Sequence, residues 1–312
     1  MARGYVGLVL ATLVFTVPEA LTGIHILHDG ISGTVGGPKA PFIEPRMGLE
    51  RTFGPFDHPI LYGVFCASSF SLAYFVLAQR RLMNFGGMGK VAGVVLATFM
   101  SASGGPYVVL MMQGFVAAWE RVLGAVQGRW AALFSLFLVA YVAIDLFSAK
   151  TPFHVFVNYF TFSKQSAYNR ILIFEFGTAE VARHPFFGIG LGEWQRPAWM
   201  SDSMDNFWLA TAVRYGLPAL FLLLALLIGL VWSVGQKKNL SPDVKRARHA
   251  WAFTLFGITV AAATVHLWNA LFVLFFFLLG SGAWLLDAQA KQHRRSFAPL
   301  ALNRPLRPAR LF

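Results

Sequence analysis

Apolar residues run through this chain in eight windows, separated by polar stretches of very unequal length. The windows cover residues 5–21, 59–78, 91–102, 107–119, 130–147, 207–234, 250–265 and 270–286. Most approach the ~20 residues an α-helix needs to cross the hydrocarbon core of a bilayer. They are continuous rather than alternating, which predicts helices and excludes a β-barrel. The windows on either side of Ser101-Ala102-Ser103-Gly104-Gly105-Pro106 are short. They predict two helices joined by a tight turn, or one re-entrant pair. The window 207–234 is long for one span, so Gly216-Leu217-Pro218 is read as a kink, with the first two turns at the interface. The fold class expected is all-α: a polytopic membrane helical bundle of about eight transmembrane helices within residues 1–290. A basic tail, 291–312, is expected to be disordered and cytoplasmic.

The composition agrees with the pattern. Of 312 residues, 56% are hydrophobic and only 13% charged, against about 25% charged in soluble domains. The mean hydropathy is +0.58. A net charge of +12 raises the question of nucleic acid. The basic residues stand in short segments between apolar windows, so orientation and anionic membrane lipids account for them and nucleic acid is excluded as a partner. Most of them fall on one side if both termini are cytoplasmic. Two long loops, 24–57 and 148–206, then fall on the other side with most of the acids. The single cysteine, Cys66, permits neither an intrachain disulfide nor a cysteine metal cluster. No small-residue cleavage site follows the first apolar segment, which is expected to be the first span.

The candidate chemistry lies in those two loops. In the first, Arg51 stands about eight residues before a span, at headgroup level. Asp57 reads as the N-cap of that span and Pro59 as its first turn, with His58 structural beside them. In the second, Arg170 lies on a helix that continues through Glu175, Glu180 and Arg183, a pattern that surface ion pairs alone would also produce. His184-Pro185 then leads to Gly188, Gly190 and Gly192. Glycines at alternate positions are only a weak phosphate-loop signal without a strand-then-helix context. Asp205 and Asn206 precede the helix that carries Arg214, and Asp205 as a plain helix N-cap is the competing reading. No residue spacing completes a metal site, and no cofactor is expected. Several arginines can hold a diphosphate in forked hydrogen bonds without metal, and a carboxylate beside them can take the proton of an attacking hydroxyl. Arg170 and Asp205 are therefore the candidates for catalysis. Arg51, Arg183, His184, Asn206 and Arg214 are the candidates for binding diphosphate or glycan, with Trp194, Trp199 and Trp208 available to stack on sugars.

Three stretches resemble the bacterial O-antigen ligases and the Wzy-type O-antigen and exopolysaccharide polymerases. They are Arg51-Thr52-Phe53-Gly54-Pro55-Phe56-Asp57-His58-Pro59 ahead of a span; Arg170 upstream of His184-Pro185-Phe186-Phe187-Gly188-Ile189-Gly190; and Asp205-Asn206 followed after nine residues by Gly216-Leu217-Pro218. The resemblance implies a GT-C-like inner-membrane glycosyltransferase that uses undecaprenyl-diphosphate-linked saccharide without metal. A glycan or lipid would be the acceptor, and a chain-length regulator protein a partner. Carried over by position, Arg51 and Arg170 bind the diphosphate, and Asp205 stands where ligases have histidine, which favours a polymerase. The arginine often found near Ser101-Ala102-Ser103-Gly104 is missing, and the helices are fewer, as in a short or N-terminally truncated member. The implied location is the bacterial inner membrane, with both termini cytoplasmic and the main loop periplasmic. A non-catalytic relative and a polysaccharide or lipid transporter stay open as alternatives.

Overall fold

The computed structural model describes residues 1–36, 43–46, 48–78, 85–148, 150–160 and 164–288. The basic tail, 291–312, lies outside them. Among the described residues the chain is all-helical and without strands. In chain order the helices are α1 (Ala2–Thr22), α2 (Ile26–Val35), α3 (Pro59–Ser68) with a π-helical continuation (Leu72–Ala78), α4 (Phe85–Met100) and α5 (Gly104–Val122). Then come α6 (Arg129–Phe147), α7 (Pro152–Phe160), α8 (Lys164–Arg183), α9 (Phe207–Gly235), α10 (Pro242–Ala261) and α11 (Ala270–Gly280). Among the described residues five helices are long and apolar enough to cross a membrane: Ala2–Thr22, Pro59–Ala78, Arg129–Phe147, Phe207–Gly235 and Ala270–Ala288. The shorter α4 is apolar as well.

The protein is membrane-embedded, and α6 makes the reason plain. It presents Phe134, Leu136, Phe137 and Val139 outward, and none of its residues is buried. Each such side chain left in water forgoes roughly 2 kcal/mol of burial, whereas hydrocarbon solvates it at no cost. The core lies elsewhere, where α3 with its π segment, α5 and α10 pack on one another and α1 and α4 pack against α3 and the π segment.

The two short windows are two separate helices. Their junction is a sharp turn with Ala102 at φ 42°. Against it packs Gly63, where a Cβ would stand 2.4 Å from Pro106 and from Ser101 Oγ. The break between α3 and its π segment is filled from α5. The buried Gln113 amide accepts from the Ser71 N–H (3.2 Å) and donates to the Ala67 carbonyl (2.8 Å), bridging one missing turn of backbone bonding.

The helices alternate in direction about one face. α3, α5, α9 and α11 begin there, while α1, α4 and α10 end there, as their ties to one another require. Glu19, near the end of α1, accepts from the Gly54 N–H just ahead of α3 (3.2 Å). The last carbonyl of α4, Met100, accepts from Thr52 (3.3 Å). The first N–H of α9, Phe207, reaches the Ala262 carbonyl just past α10 (2.8 Å). Asn269 before α11 donates to Asp57 before α3 (2.8 Å).

Asp57 is thus not the N-cap of α3. His58 is, its Nδ1 accepting from the Ile60 N–H at 3.2 Å, because its ring is placed over the first turn while the Asp57 carboxylate turns away to Asn269. The stretch 24–57 also contains α2, so it is not all loop.

Candidate functional site

A cavity of about 320 Å³ opens at this face. Arg46, Arg51 and His58 from the first polar stretch line it, together with Asn169 and Arg170 of α8 and Ser203 and Asp205 ahead of α9. Its apolar wall is Leu61, Val108, Val260, Val265 and Trp268. Arg51, Arg170 and Asp205, predicted to act together from positions up to 154 residues apart, meet in one space.

Arg51 is only 6% exposed. The segment carrying it is strapped down by the buried Glu19 carboxylate, which accepts from the Phe53 and Gly54 N–H groups and pairs with His25. Its Nη2 donates to Ser103 Oγ (2.9 Å), so the break between α4 and α5 seats the arginine rather than supplying one. Its Nε has no partner. Burial lowers this guanidinium to about 10, Arg46 pushes the same way and Tyr107 opposes. It remains a cation at neutral pH. A buried N–H left without an acceptor costs ~1–3 kcal/mol.

Arg170 is steered by backbone: its Nε donates to the Thr264 carbonyl (3.1 Å) and its Nη1 to the Ser166 carbonyl (3.3 Å). Its pKa is lowered by burial, with Asp205 opposing and Arg46 reinforcing. Among the described residues no carboxylate lies within 4 Å of Arg46, Arg51 or Arg170. Glu175, expected as a helix-face partner, faces His154 instead (3.8 Å).

The competing reading of Asp205 as an N-cap fails on geometry. Asn206 is the cap of α9, with its Oδ1 accepting from the Leu209 N–H at 3.0 Å. Asn206 is buried in that role and does not line the cavity. Asp205 is left half-buried at the cavity wall, its Oδ1 accepting from Ser203 Oγ (2.9 Å).

Arg183, His184 and Arg214 stand outside the cavity lining. Arg183 and His184 gather on Glu180, which is 2% exposed and also accepts from the Gln195 N–H (2.9 Å). Burial would raise the Glu180 carboxyl, but the Gln195 N–H, Arg183 and His184 outweigh it and hold it below the usual range. The glycine stretch has a structural duty as well. At Gly216 the backbone leaves the helix (φ 81°, ψ 171°), and Pro218 has no N–H for the Arg214 carbonyl. That carbonyl accepts from Gly190 (2.9 Å), the Val213 carbonyl accepts from Ile189 (2.9 Å), and the freed Leu217 N–H donates to Pro185 (2.7 Å). The His184–Gly190 stretch thus completes the hydrogen bonds of the kink, and the Arg214 side chain stays exposed. Trp194 is buried and donates to the Asp202 carbonyl, and Trp208 donates to the Thr259 carbonyl, while Trp199 is exposed.

Two lining residues escaped the sequence reading. Arg46 sits on a hairpin turn closed by reciprocal bonds with Leu49 (3.0 Å each), and only the Pro45…Gly48 turn pattern marked it. His58 looked purely structural. Burial lowers its pKa to about 4, helped by Arg51 and Arg46 and opposed by Asp205. With Nδ1 accepting from Ile60, the neutral ring carries its proton on Nε2.

Three guanidinium groups against one carboxylate leave the cavity with an excess of two positive charges. The arrangement can hold a multiply charged anion such as a diphosphate, with an acid–base group beside it. Among the described residues no cluster of three His, Cys, Asp or Glu is placed to hold a metal ion. The chain matches no family model, and comparison with curated proteins gives no match.

Proposed function

We propose that this protein is a membrane glycosyltransferase of surface polysaccharide assembly, in the manner of the O-antigen polymerases and ligases. It would transfer saccharide from an undecaprenyl diphosphate to a glycan or lipid acceptor. The observation that carries this reading is the convergence of Arg46, Arg51 and Arg170, without carboxylate partners among the described residues, on a cavity that also holds Asp205.

The chemistry follows from charge. The bond between the sugar's anomeric carbon and the diphosphate oxygen breaks, and its electron pair stays on that oxygen. The three arginines stabilise the growing negative charge. The acceptor hydroxyl oxygen forms the new glycosidic bond and gives its proton to the Asp205 carboxylate. Neutral His58 offers an Nε2–H donor to the substrate. The apolar wall of Val108, Val260 and Val265 suits the first prenyl units.

The alternation of helices supports eight crossings with both termini in the cytoplasm and the cavity on the periplasmic face of a bacterial inner membrane. Transport is less well supported. The buried acids Glu19 and Glu120 are each committed, to His25 with backbone N–H groups and to Arg129.

Arg170→Ala and Asp205→Asn are each expected to abolish glycan lengthening while the protein remains in the membrane. Gel ladders of surface polysaccharide measure this. Unchanged ladders in both variants overturn the proposal.

A further inference from the structure

A second cavity, of about 330 Å³, lies at the opposite end of the same helices. The π segment gives it Phe75, α5 gives Glu120 and Arg121, and α10 gives Lys245, Arg246 and His249. The glycosyl transfer proposed above uses none of these residues. The acid in the lining is already spent, since Arg129 grips both Glu120 oxygens at 2.8 and 3.0 Å. Arg246 pairs with Asp243 on its own helix. Among the described residues Arg121 and Lys245 have no carboxylate within 4 Å.

Two of the lining side chains, Phe75 and His249, are aromatic, and both pack on Phe253 behind them. Phe75 lies edge-on to Phe253 at 5.4 Å, and the His249 ring stacks on Phe253 at 5.7 Å. Trp130, in the first turn of α6, touches the same Phe253 at 5.5 Å. Through Phe253 the wall of the cavity connects to the first turn of α6, a helix with no buried residue. A cationic rim, an aromatic floor and an adjoining lipid-facing helix together fit a phosphate that carries acyl chains. A free phosphate would have no use for the aromatic floor.

We propose that this cavity binds the phosphate headgroup of an anionic phospholipid from the leaflet at that end of the bundle, through Arg121 and Lys245.

The test uses the full chain, released from nanodiscs of phosphatidylcholine with or without phosphatidylglycerol, and counts retained lipid by native mass spectrometry. Wild type is expected to retain phosphatidylglycerol in preference to phosphatidylcholine. The Arg121→Glu/Lys245→Glu double variant is expected to weaken that retention by about tenfold or more. Lys245→Arg should keep it, which separates binding from misfolding. Lys238→Glu, one such charge reversal at an exposed position outside the lining, should leave it unchanged. Equal retention by the double variant, or equal loss in Lys238→Glu, overturns the proposal. So does a thermal stabilisation by millimolar inorganic phosphate that matches that of phosphatidylglycerol, since the source would then be a soluble anion.

Discussion

At the scale of single residues, two adjacent pairs divide their labour in ways that composition does not reveal. Asp205 and Asn206 are both good caps, and either satisfies the first turn of α9 on paper. Asn206 takes the Leu209 N–H, which releases Asp205 to the cavity. Asp57 and His58 reverse the ordinary expectation, with the imidazole capping α3 and the carboxylate holding Asn269. His58 carries a prediction. Its folded pKa is about 4 against an ordinary value of 6.5, lowered chiefly by burial. Between those values the unfolded chain binds the proton and the folded chain does not, so stability falls as pH is lowered from 6.5 toward 4 and loses nothing more from this group below that. Melting curves in detergent across this range should show the slope. His58→Asn, which keeps an acceptor for Ile60, should reduce it, the remainder belonging to other half-buried histidines such as His249. An undiminished slope in the variant would place the titration elsewhere.

At the scale of elements, the kinked helix and the glycine stretch form one unit. Proline and glycine in the sequence announce a bend in α9, but not what accepts and donates the backbone hydrogen bonds it frees. Those partners come from Pro185, Ile189 and Gly190, more than twenty residues earlier. The two glycine types separate by experiment. At Gly216 a Cβ would meet the Phe186 carbonyl oxygen at 2.2 Å in a backbone region closed to other residues. Gly216→Ala is expected to lose ~3 kcal/mol or more. Gly190 has φ +61° and nothing within 4 Å, so Gly190→Ala is expected to lose only about 1 kcal/mol. Thermal unfolding of the two variants side by side measures the difference, and equal losses would refute the account of the kink.

At the scale of the whole molecule, the bundle has two unlike ends. The arginine cavity and the basic–aromatic cavity are built on opposite ends of α3 with its π segment, α5 and α10. Cys66 is fully buried, so labelling of the native chain starts from a silent background. Ser201→Cys, exposed near the first cavity, should react with an impermeant maleimide on intact cells. Lys238→Cys, exposed at the far end of α9, should react only after permeabilisation. Labelling of both from one side would rule out the proposed crossing pattern.

The apolar windows alone determined that the chain is helical and membrane-embedded, because lipid leaves no other way to satisfy the backbone, and they placed most of the apolar helices closely, though not α2, α7, α8 or the first two turns of α10. The second window, 59–78, coincides with α3 and its π segment, and Arg51, Arg170 and Asp205 were legible as unusual charges in the polar stretches, while Arg46 and His58 were not. Only the tertiary structure decided which charges face the cavity. Arg183 and Arg170 lie on one helix thirteen residues apart, yet one is consumed by Glu180 and the other is held open by the Thr264 carbonyl. That outcome depends on partners brought from distant segments, and hydropathy has no term for them.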